Sequence, residues 1–174
     1  MEALTDGVVT LRQFTADDVT RIVEACADSE TARFIPLIPV PYTQADAGAY
    51  LDLAEALWDE GERLPFAVAD AATDALLGAI DVRLGEVGSI GYWVHPAARS
   101  RGVATRALLL LSRWAVTEGG VERLELTTHP ENIGSQRVAE KVGFVREGVL
   151  RSHIRFREGR RDSVLFSLLP SDLE

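Results

Sequence analysis

The stretch Gly91-Tyr-Trp-Val-His-Pro-Ala-Ala-Arg-Ser-Arg-Gly-Val-Ala-Thr105 decides the fold, and it runs directly into an apolar helical segment. It predicts a strand that ends at Val94, a short loop that contains Pro96, and a helix that begins near Gly102. A helix that follows a small-residue loop presents unpaired backbone N–H groups at the positive end of its dipole. The stretch therefore predicts an anion site of the kind that binds phosphates.

Around this loop, the sequence alternates between strand-like and helix-like patterns. Apolar alternation and turn residues predict strands at 8–13, 65–70, 76–84, 89–94, 123–128, 144–150 and 162–169. Helical spacing and capping residues predict helices at about 15–27, 29–34, 43–60, 102–118 and 132–142. We expect an α/β (mixed α+β) fold, with a mostly antiparallel twisted sheet of about six or seven strands and about four helices on both faces.

Length and composition bound the class of protein. The chain has 174 residues and 47% apolar residues, which suits one domain spanning 1–174. Neither a signal peptide nor a membrane-length apolar run is apparent, and Cys26 is the only cysteine. We therefore expect a cytoplasmic protein that does not interact with membranes. The net charge of −9 argues against nucleic-acid binding.

The charge is unevenly distributed along the chain. Acidic residues dominate residues 1–98, whereas residues 99–174 are net basic. One interpretation is that the second part holds an anionic cofactor while the first part attracts a cationic acceptor. The other interpretation is compositional drift, in which the charges are only solvated. The role of the basic cluster at residues 151–161 is also open: it would contact the cofactor, a carboxylate of the acceptor, or only solvent.

Two segments together resemble one family. Residues 90–105 closely resemble motif A of the GNAT acetyltransferase superfamily, and Asn132-Ile-Gly-Ser-Gln-Arg-Val-Ala-Glu-Lys-Val-Gly-Phe144 resembles its motif B. The resemblance covers roughly residues 7–169 and is nearest to the RimJ/RimL branch, which includes ribosomal-protein N-terminal acetyltransferases. It implies that residues 90–144 bind acetyl-CoA beside a splay at the centre of the sheet. Residues 28–62 and 150–162 would form the acceptor wall.

The same resemblance implies where acetyl-CoA binds. Its pyrophosphate would contact the amides of residues 101–105, and its pantetheine arm would follow the strand that ends at Val94. The amide of Val94 or His95 would polarise the thioester carbonyl. No metal is implied. The implied cofactor-binding residues are Trp93, Val94, His95, Arg99, Arg101, Gly102, Val103, Ala104, Thr105, Asn132 and Ser135.

Motif B suggests the group that receives the leaving thiolate. Asn132 matches a family position that contacts pantetheine, although Asn is also a favoured helix N-cap. Many family members have Tyr at the position of Ala139 to protonate the thiolate. That tyrosine is missing here, so Ser135 inherits the role of general acid or hydrogen-bond donor to the sulfur. A small residue in a first helical turn is the alternative reading.

The base that deprotonates the amine is unresolved. An ammonium group must lose a proton before it can attack. Glu86, in the turn before the strand, and His153, on a later strand, are weak candidates, and a water relay needs no named base. Strand alternation places Tyr92 and Trp93 on opposite faces, so at most one of them is expected to face a given site.

The predicted function is transfer of an acetyl group from acetyl-CoA to a primary amine, by direct attack in a ternary complex. The acceptor is a protein N-terminus or a small-molecule amine. The alternative is a CoA-binding sensor or regulatory module that has lost catalysis, which the missing tyrosine and missing base motivate. Apolar surface near the final strands is compatible with a homodimer.

Overall fold

The computed structural model describes residues 3–173, which form one mixed sheet with helices on both faces. The strands are β1 (Leu4–Thr5), β2 (Val9–Arg12), β3 (Arg63–Asp70), β4 (Leu76–Arg83), β5 (Val87–Val94), β6 (Arg123–Thr128), β7 (Val145–Phe156) and β8 (Gly159–Leu168). The α-helices are α1 (Val19–Ala27), α2 (Ser29–Phe34), α3 (Gln44–Glu60), α4 (Val103–Thr117) and α5 (Ile133–Val142). Short 3-10 turns lie at Ala16–Asp18, Pro96–Ala98 and Pro170–Leu173.

Local signals set the ends of the longer helices. Before α3, the Thr43 hydroxyl accepts a hydrogen bond from the Asp46 N–H, and the Asp46 carboxylate accepts one from the Thr43 N–H. This helix ends at Gly61, whose φ of 76° is the left-handed conformation that glycine adopts without strain. The helix α5 begins at Asn132 and ends at Gly143 in the same left-handed way. These two capping residues therefore define which segment of the sequence forms α5.

The sheet has the strand order β1-β2-β3-β4-β5-β6-β8-β7. Every neighbouring pair is antiparallel except β5 and β6, which are parallel. This parallel pairing runs only from Val87↔Arg123 to Ile90↔Leu126, whereas β5 stays paired with β4 as far as Gly78↔Val94. Residues 91–94 consequently have β4 on one side and an open gap towards β6 on the other.

Two apolar cores cover the two faces of the sheet. One contains Leu108 and Leu111 of α4, both fully buried against residues such as Phe66 and Phe166. The other lies under α1 and α3 and contains Ile22 and Leu76. Helices α4 and α5 contact each other on the first face, whereas α1, α2 and α3 form the second layer.

The fold class is confirmed, with corrections at the edges. The sheet has eight strands rather than six or seven, because β1 is a two-residue edge strand too short to show alternation. Five α-helices are present, because the short segment at 29–34 forms a helix of its own beside the four longer ones. The last hairpin is longer than predicted, since β7 carries an irregularity between Leu150 and Ile154 that hides its period. Across residues 3–173, no helix has the length and apolar character needed to span a bilayer.

Candidate functional site

A cleft of about 1020 Å³ opens where β5 and β6 separate. Its walls come from the first turns of α4 and α5 on one face of the sheet, and from α2 and α3 on the other. Because the cleft passes between two strands, it is lined by residues from both faces of β5. Tyr92 and Trp93 therefore both line it, and the expectation that only one of them faces a given site is wrong.

The first turn of α4 lines one end of this cleft. Gly102 precedes the helix with a φ of 78°, and nothing lies within 4 Å of the position that a side chain would occupy there. The first helical hydrogen bond runs from the Arg106 N–H to the Gly102 carbonyl. The N–H groups of Val103, Ala104 and Thr105 therefore have no acceptor within the helix, and they lie at its positive end. This arrangement has the properties of a phosphate-binding turn.

The edge of β5 supplies the second part of the cleft. The His95 N–H donates to the Leu77 carbonyl at 2.8 Å, which places His95 in a hydrogen-bonded pair with β4. In an antiparallel ladder the pairs alternate, so the N–H and C=O groups of Tyr92 and Val94 point away from β4 into the gap. The backbone of Trp93 points towards β4 instead. Of the two amides expected to polarise a carbonyl, that of Val94 faces the cleft.

The polar groups of His95 bond within the protein, and His95 is not among the residues that line the cleft. Its Nδ1 accepts a hydrogen bond from the Ala97 N–H at 3.2 Å, so the ring proton is on Nε2, which donates to Glu24 Oε2 at 3.0 Å. Its carbonyl accepts from the Ala98 N–H, and its side chain is buried. Each of these polar groups of His95 has a protein partner, so His95 fastens the loop to α1 and β4.

The two arginines of the loop lie in different surroundings. Arg99 donates to Asp28 Oδ2 at 2.5 Å and to Thr31 Oγ1 at 2.8 Å, so its guanidinium fastens the loop to the start of α2. Its charge is thereby matched by carboxylates, although the residue still lines the cleft. Arg101 is exposed and lies outside the residues that line the cleft. Neither guanidinium is placed as an unpaired phosphate ligand.

The first turn of α5 brings three functional side chains together. Asn132 Oδ1 accepts a hydrogen bond from the Ser135 N–H at 3.0 Å, so Asn132 is a helix cap, and it also lines the cleft. Ser135 Oγ lies 2.9 Å from the hydroxyl of Tyr92, which reaches it from β5. Burial raises the pKa of Tyr92 to about 12, although the hydrogen bond with Ser135 opposes the shift. The phenol therefore keeps its proton at neutral pH.

The sequence interpretation considered Tyr92 only as an aromatic residue of the acceptor groove or the core, and it missed the contact of the phenol with Ser135. The tyrosine that is absent from α5 would stand at the fully buried Ala139, whereas the phenol of Tyr92 comes from β5. Asp81 of β4 was also missed, although it lines the cleft beside Gly91. A polar residue in an otherwise buried strand is the one signal that pointed to Asp81, since β4 is apolar on both faces around it.

The two candidate bases occupy different places. Glu86 is exposed in the turn before β5, at the end of that strand remote from Val94, and it lines neither cavity. Three to four residues of extended chain, about 10–13 Å, separate it from Ser89 and Ile90, the first residues of β5 that line a cavity, so the structure does not bring Glu86 to the cleft. His153 lies in β7, with Nδ1 3.3 Å from Ser163 Oγ. It lines a smaller cavity of about 460 Å³ that adjoins the cleft.

The described residues contain no grouping suited to a metal ion. Among residues 3–173, no three or more His, Cys, Asp and Glu side chains come together in a way that could hold one. The polar groups of the cleft are instead backbone amides, hydroxyls, basic side chains, His129 and four separate carboxylates, those of Glu30, Asp46, Asp81 and Asp162.

Comparison with known proteins agrees with this geometry. A mixed sheet that splays beside a helix with uncapped N–H groups defines the class of acetyltransferase folds. The acetyltransferase (GNAT) domain model matches residues 9–145, which is more than half of the chain. The chain belongs to the GNAT acetyltransferase family.

Three similar proteins illustrate the range of relatives. The uncharacterized N-acetyltransferase YnaD of Bacillus subtilis is 29% identical over 154 residues, 87% of each chain. The ribosomal-protein-serine acetyltransferase of Escherichia coli is 29% identical over 82 residues, 45% of this chain and 46% of that protein. The structure of Mycobacterium smegmatis RimJ with CoA-disulfide superposes with a TM-score of 0.86 and 24% identity, covering 99% of this chain and 88% of that one.

Proposed function

We propose that this chain transfers an acetyl group from acetyl-CoA to a primary amine by direct attack in a ternary complex. The observation that carries the proposal is the cleft itself, which joins uncapped N–H groups, an unpaired strand edge and a hydroxyl pair. Acetyl transfer to amines is the general reaction of the family to which the chain belongs. The similar structure of Mycobacterium smegmatis RimJ with CoA-disulfide supports a CoA thioester as the donor.

The donor would bind along the α4 and β5 side of the cleft. The N–H groups of Val103, Ala104 and Thr105 suit the pyrophosphate, since several backbone donors at a helix N-terminus stabilise negative charge. Gly102 leaves open space for the phosphates to approach these amides. The unpaired edge at Tyr92 and Val94 suits the amide groups of the pantetheine arm. The Val94 N–H would donate to the thioester carbonyl as negative charge develops on its oxygen.

Ser135, supported by Tyr92, would protonate the leaving thiolate. As the carbon–sulfur bond breaks, the thiolate needs a proton, and the Ser135 hydroxyl would donate it. Tyr92 would supply the hydroxyl behind Ser135, since their oxygens are 2.9 Å apart and the phenol is protonated at neutral pH. The two hydroxyls together would replace the tyrosine that many family members have in α5.

The acceptor would enter from the opposite face of the sheet, past α2 and α3. That wall is aromatic and apolar, with Phe34, Tyr50 and Trp93 among the lining residues. A protein N-terminus is one acceptor of the right chemistry, and the similarity to the ribosomal-protein-serine acetyltransferase of Escherichia coli supports it. A small primary amine is the other acceptor.

Titration calorimetry with acetyl-CoA tests the donor half of this proposal. Gly102→Glu and Gly102→Gln impose the same backbone strain at a positive φ, and only the first adds a negative charge beside the phosphates. We expect saturable binding by the wild type, and about 100-fold weaker binding by Gly102→Glu than by Gly102→Gln, because like charges are brought together. Equal affinities of the two variants would contradict the assignment of this turn to the pyrophosphate.

A further inference from the structure

Asp81 lies at the point where the sheet splits. It is paired with Gly91 across β4 and β5, and Gly91 is the first residue of β5 beyond the last pair with β6, Ile90↔Leu126. Residues directly opposite each other in an antiparallel pair extend to the same face. The carboxylate therefore projects beside the narrow end of the gap, on the face that carries Trp93 and α3.

One oxygen of this carboxylate is paired and the other is not. Arg63 Nε donates to Asp81 Oδ2 at 2.7 Å, and this ion pair holds the orientation of the side chain. Oδ1 lies 3.4 Å from the position that a Cβ would occupy on Gly91. Within residues 3–173, no hydrogen bond reaches Oδ1. A carboxylate oxygen in this state is an acceptor that lacks a donor.

The space beside Oδ1 is open to solvent and to the donor site at once. Asp81, Arg63, Ile90 and Gly91 line both the large cleft and the adjoining cavity of about 460 Å³. Because Gly91 has no side chain, nothing from this residue lies between the Asp81 carboxylate and the gap. A ligand group in this space would contact Oδ1 while remaining within the cleft that also contains Ser135.

The neighbours of Asp81 define what such a group can be. Trp93 and Tyr50 line the same part of the cleft and present apolar ring surface. Of the other charged residues that line the adjoining cavity, Glu125 is paired with Arg123 at 2.9 Å, whereas Arg83 has no ion pair within residues 3–173. Asp81 thus offers one free acceptor oxygen, Oδ1, beside apolar surfaces, while its other oxygen is paired with Arg63, so the site suits one N–H donor rather than several.

We infer that Asp81 binds the ammonium group of the acceptor, and that the acceptor is a primary ammonium ion carried on an apolar carbon skeleton. The inference rests on the proposed function and names its substrate class. Small arylalkylamines and peptides with an apolar first residue share this chemistry. Asp81 touches the reacting nitrogen and is therefore a catalytic residue that the sequence interpretation did not include.

The reaction balances with Asp81 in this role. The acceptor nitrogen forms a bond to the acetyl carbon, and the carbon–sulfur bond breaks. The ammonium group loses two protons in total, one before attack and one after. Asp81 Oδ1 accepts the hydrogen bond of the departing proton, which passes to water in the adjoining cavity. The thiolate is protonated through Ser135, so one proton ends on sulfur and one in solvent.

The test compares Asp81→Asn with Asp74→Asn in the full chain. Asp74 is also a carboxylate paired with an arginine, but it is exposed and remote from the cleft. Each variant is assayed with phenethylamine, which is cationic at neutral pH, and with benzoic hydrazide, a neutral nucleophile. For Asp81→Asn we expect KM for phenethylamine to rise about 10- to 100-fold, the worth of a charge-assisted hydrogen bond, with less than about threefold change for the hydrazide. Asp74→Asn should change neither.

Three outcomes are informative. Equal effects of Asp81→Asn on the cation and on the neutral nucleophile, or no effect on either, would overturn the inference while leaving the acetyltransferase proposal intact. A wild type that releases no thiol with any amine would instead overturn the proposed function, and this inference with it. If Asp81→Asn does not fold, Asp81→Glu, which keeps the charge and displaces it, should still raise KM for the cation selectively. Parallel assays with a tetrapeptide that begins with phenylalanine distinguish peptide acceptors from small amines.

Discussion

The hydroxyl pair of Tyr92 and Ser135 makes the most specific prediction about turnover. Tyr92→Phe removes the phenol oxygen and keeps the ring that packs in the core. Ser135→Ala removes the other member of the pair. Because the two oxygens are 2.9 Å apart and belong to different elements, each variant breaks the same contact from one side.

The expected magnitudes follow from the geometry. Loss of the Tyr92 hydroxyl should lower the free energy of unfolding by about 1 kcal/mol and the Tm by about 2–4 °C, as expected for one partly buried hydrogen bond in a chain of this size. Ser135→Ala should lower kcat about 100-fold, the lower end for a positioned general acid. Tyr92→Phe should lower kcat about 10-fold, because the serine hydroxyl remains but loses its support.

The double variant decides whether the two hydroxyls act as a unit. If they do, Tyr92→Phe in a Ser135→Ala background should have little further effect, so the double variant loses about 100-fold rather than the roughly 1000-fold of independent effects. The assay is thiol release at saturating acetyl-CoA and amine, with the acetyl-CoA Kd measured alongside. Multiplicative losses in kcat would refute the idea of a coupled pair.

Two further predictions concern stability. Gly78→Ala would bring a Cβ within 2.4 Å of the Trp93 carbonyl oxygen and should lower the free energy of unfolding in urea by about 1–3 kcal/mol. Gly48→Ala, inside α3, meets nothing within 4 Å and should raise the free energy of unfolding by about 0.5–1 kcal/mol. An unchanged stability of Gly78→Ala would contradict the close approach of β4 and β5. Burial raises the pKa of Tyr92 from 10.0 to about 12, so its contribution to stability is fully present below pH 10 and is lost as the pH rises towards 12. The free energy of unfolding, measured from pH 9 to pH 12, should therefore decline less steeply in Tyr92→Phe than in the wild type. Identical slopes would contradict the raised pKa of Tyr92.

Features that depend on a few adjacent residues were predictable. The turn before α4 needs only a small-residue loop and an apolar helix, and Gly102 has the positive φ that such a turn uses. Asn132 has the cap role expected of its residue type, which is fulfilled within three positions. The family resemblance added the splay between β5 and β6, which local patterns alone do not encode.

Features that depend on distant contacts were not predictable. His95 is turned away from the cleft by Glu24, which is 71 positions earlier. Arg99 forms an ion pair with Asp28, also 71 positions earlier, so part of the charge asymmetry along the sequence is neutralised in the fold. The contact of Tyr92 with Ser135 spans 43 positions.

The sheet edges show the same limit. Alternation along β7 is interrupted opposite Asp162, whose Oδ1 accepts a hydrogen bond from the Ser152 N–H at 2.7 Å. Ser152 has a φ of 52°, and this local irregularity made a long strand resemble a short strand followed by a loop. A period of two cannot be read through such a bulge, because its register shifts there.

The central claim is that this cleft catalyses acetyl transfer from acetyl-CoA to a primary amine. The most direct measurement is the rate of CoA thiol release by the wild-type protein with acetyl-CoA, with and without amine, and with mass analysis of the amine. We expect amine-dependent thiol release, an equal amount of N-acetylated product, and formation of both that is about 100-fold slower in Ser135→Ala. Saturable acetyl-CoA binding without amine-dependent release or acetylated product, across small amines and peptide N-termini, would contradict it and favour a CoA-binding regulatory module.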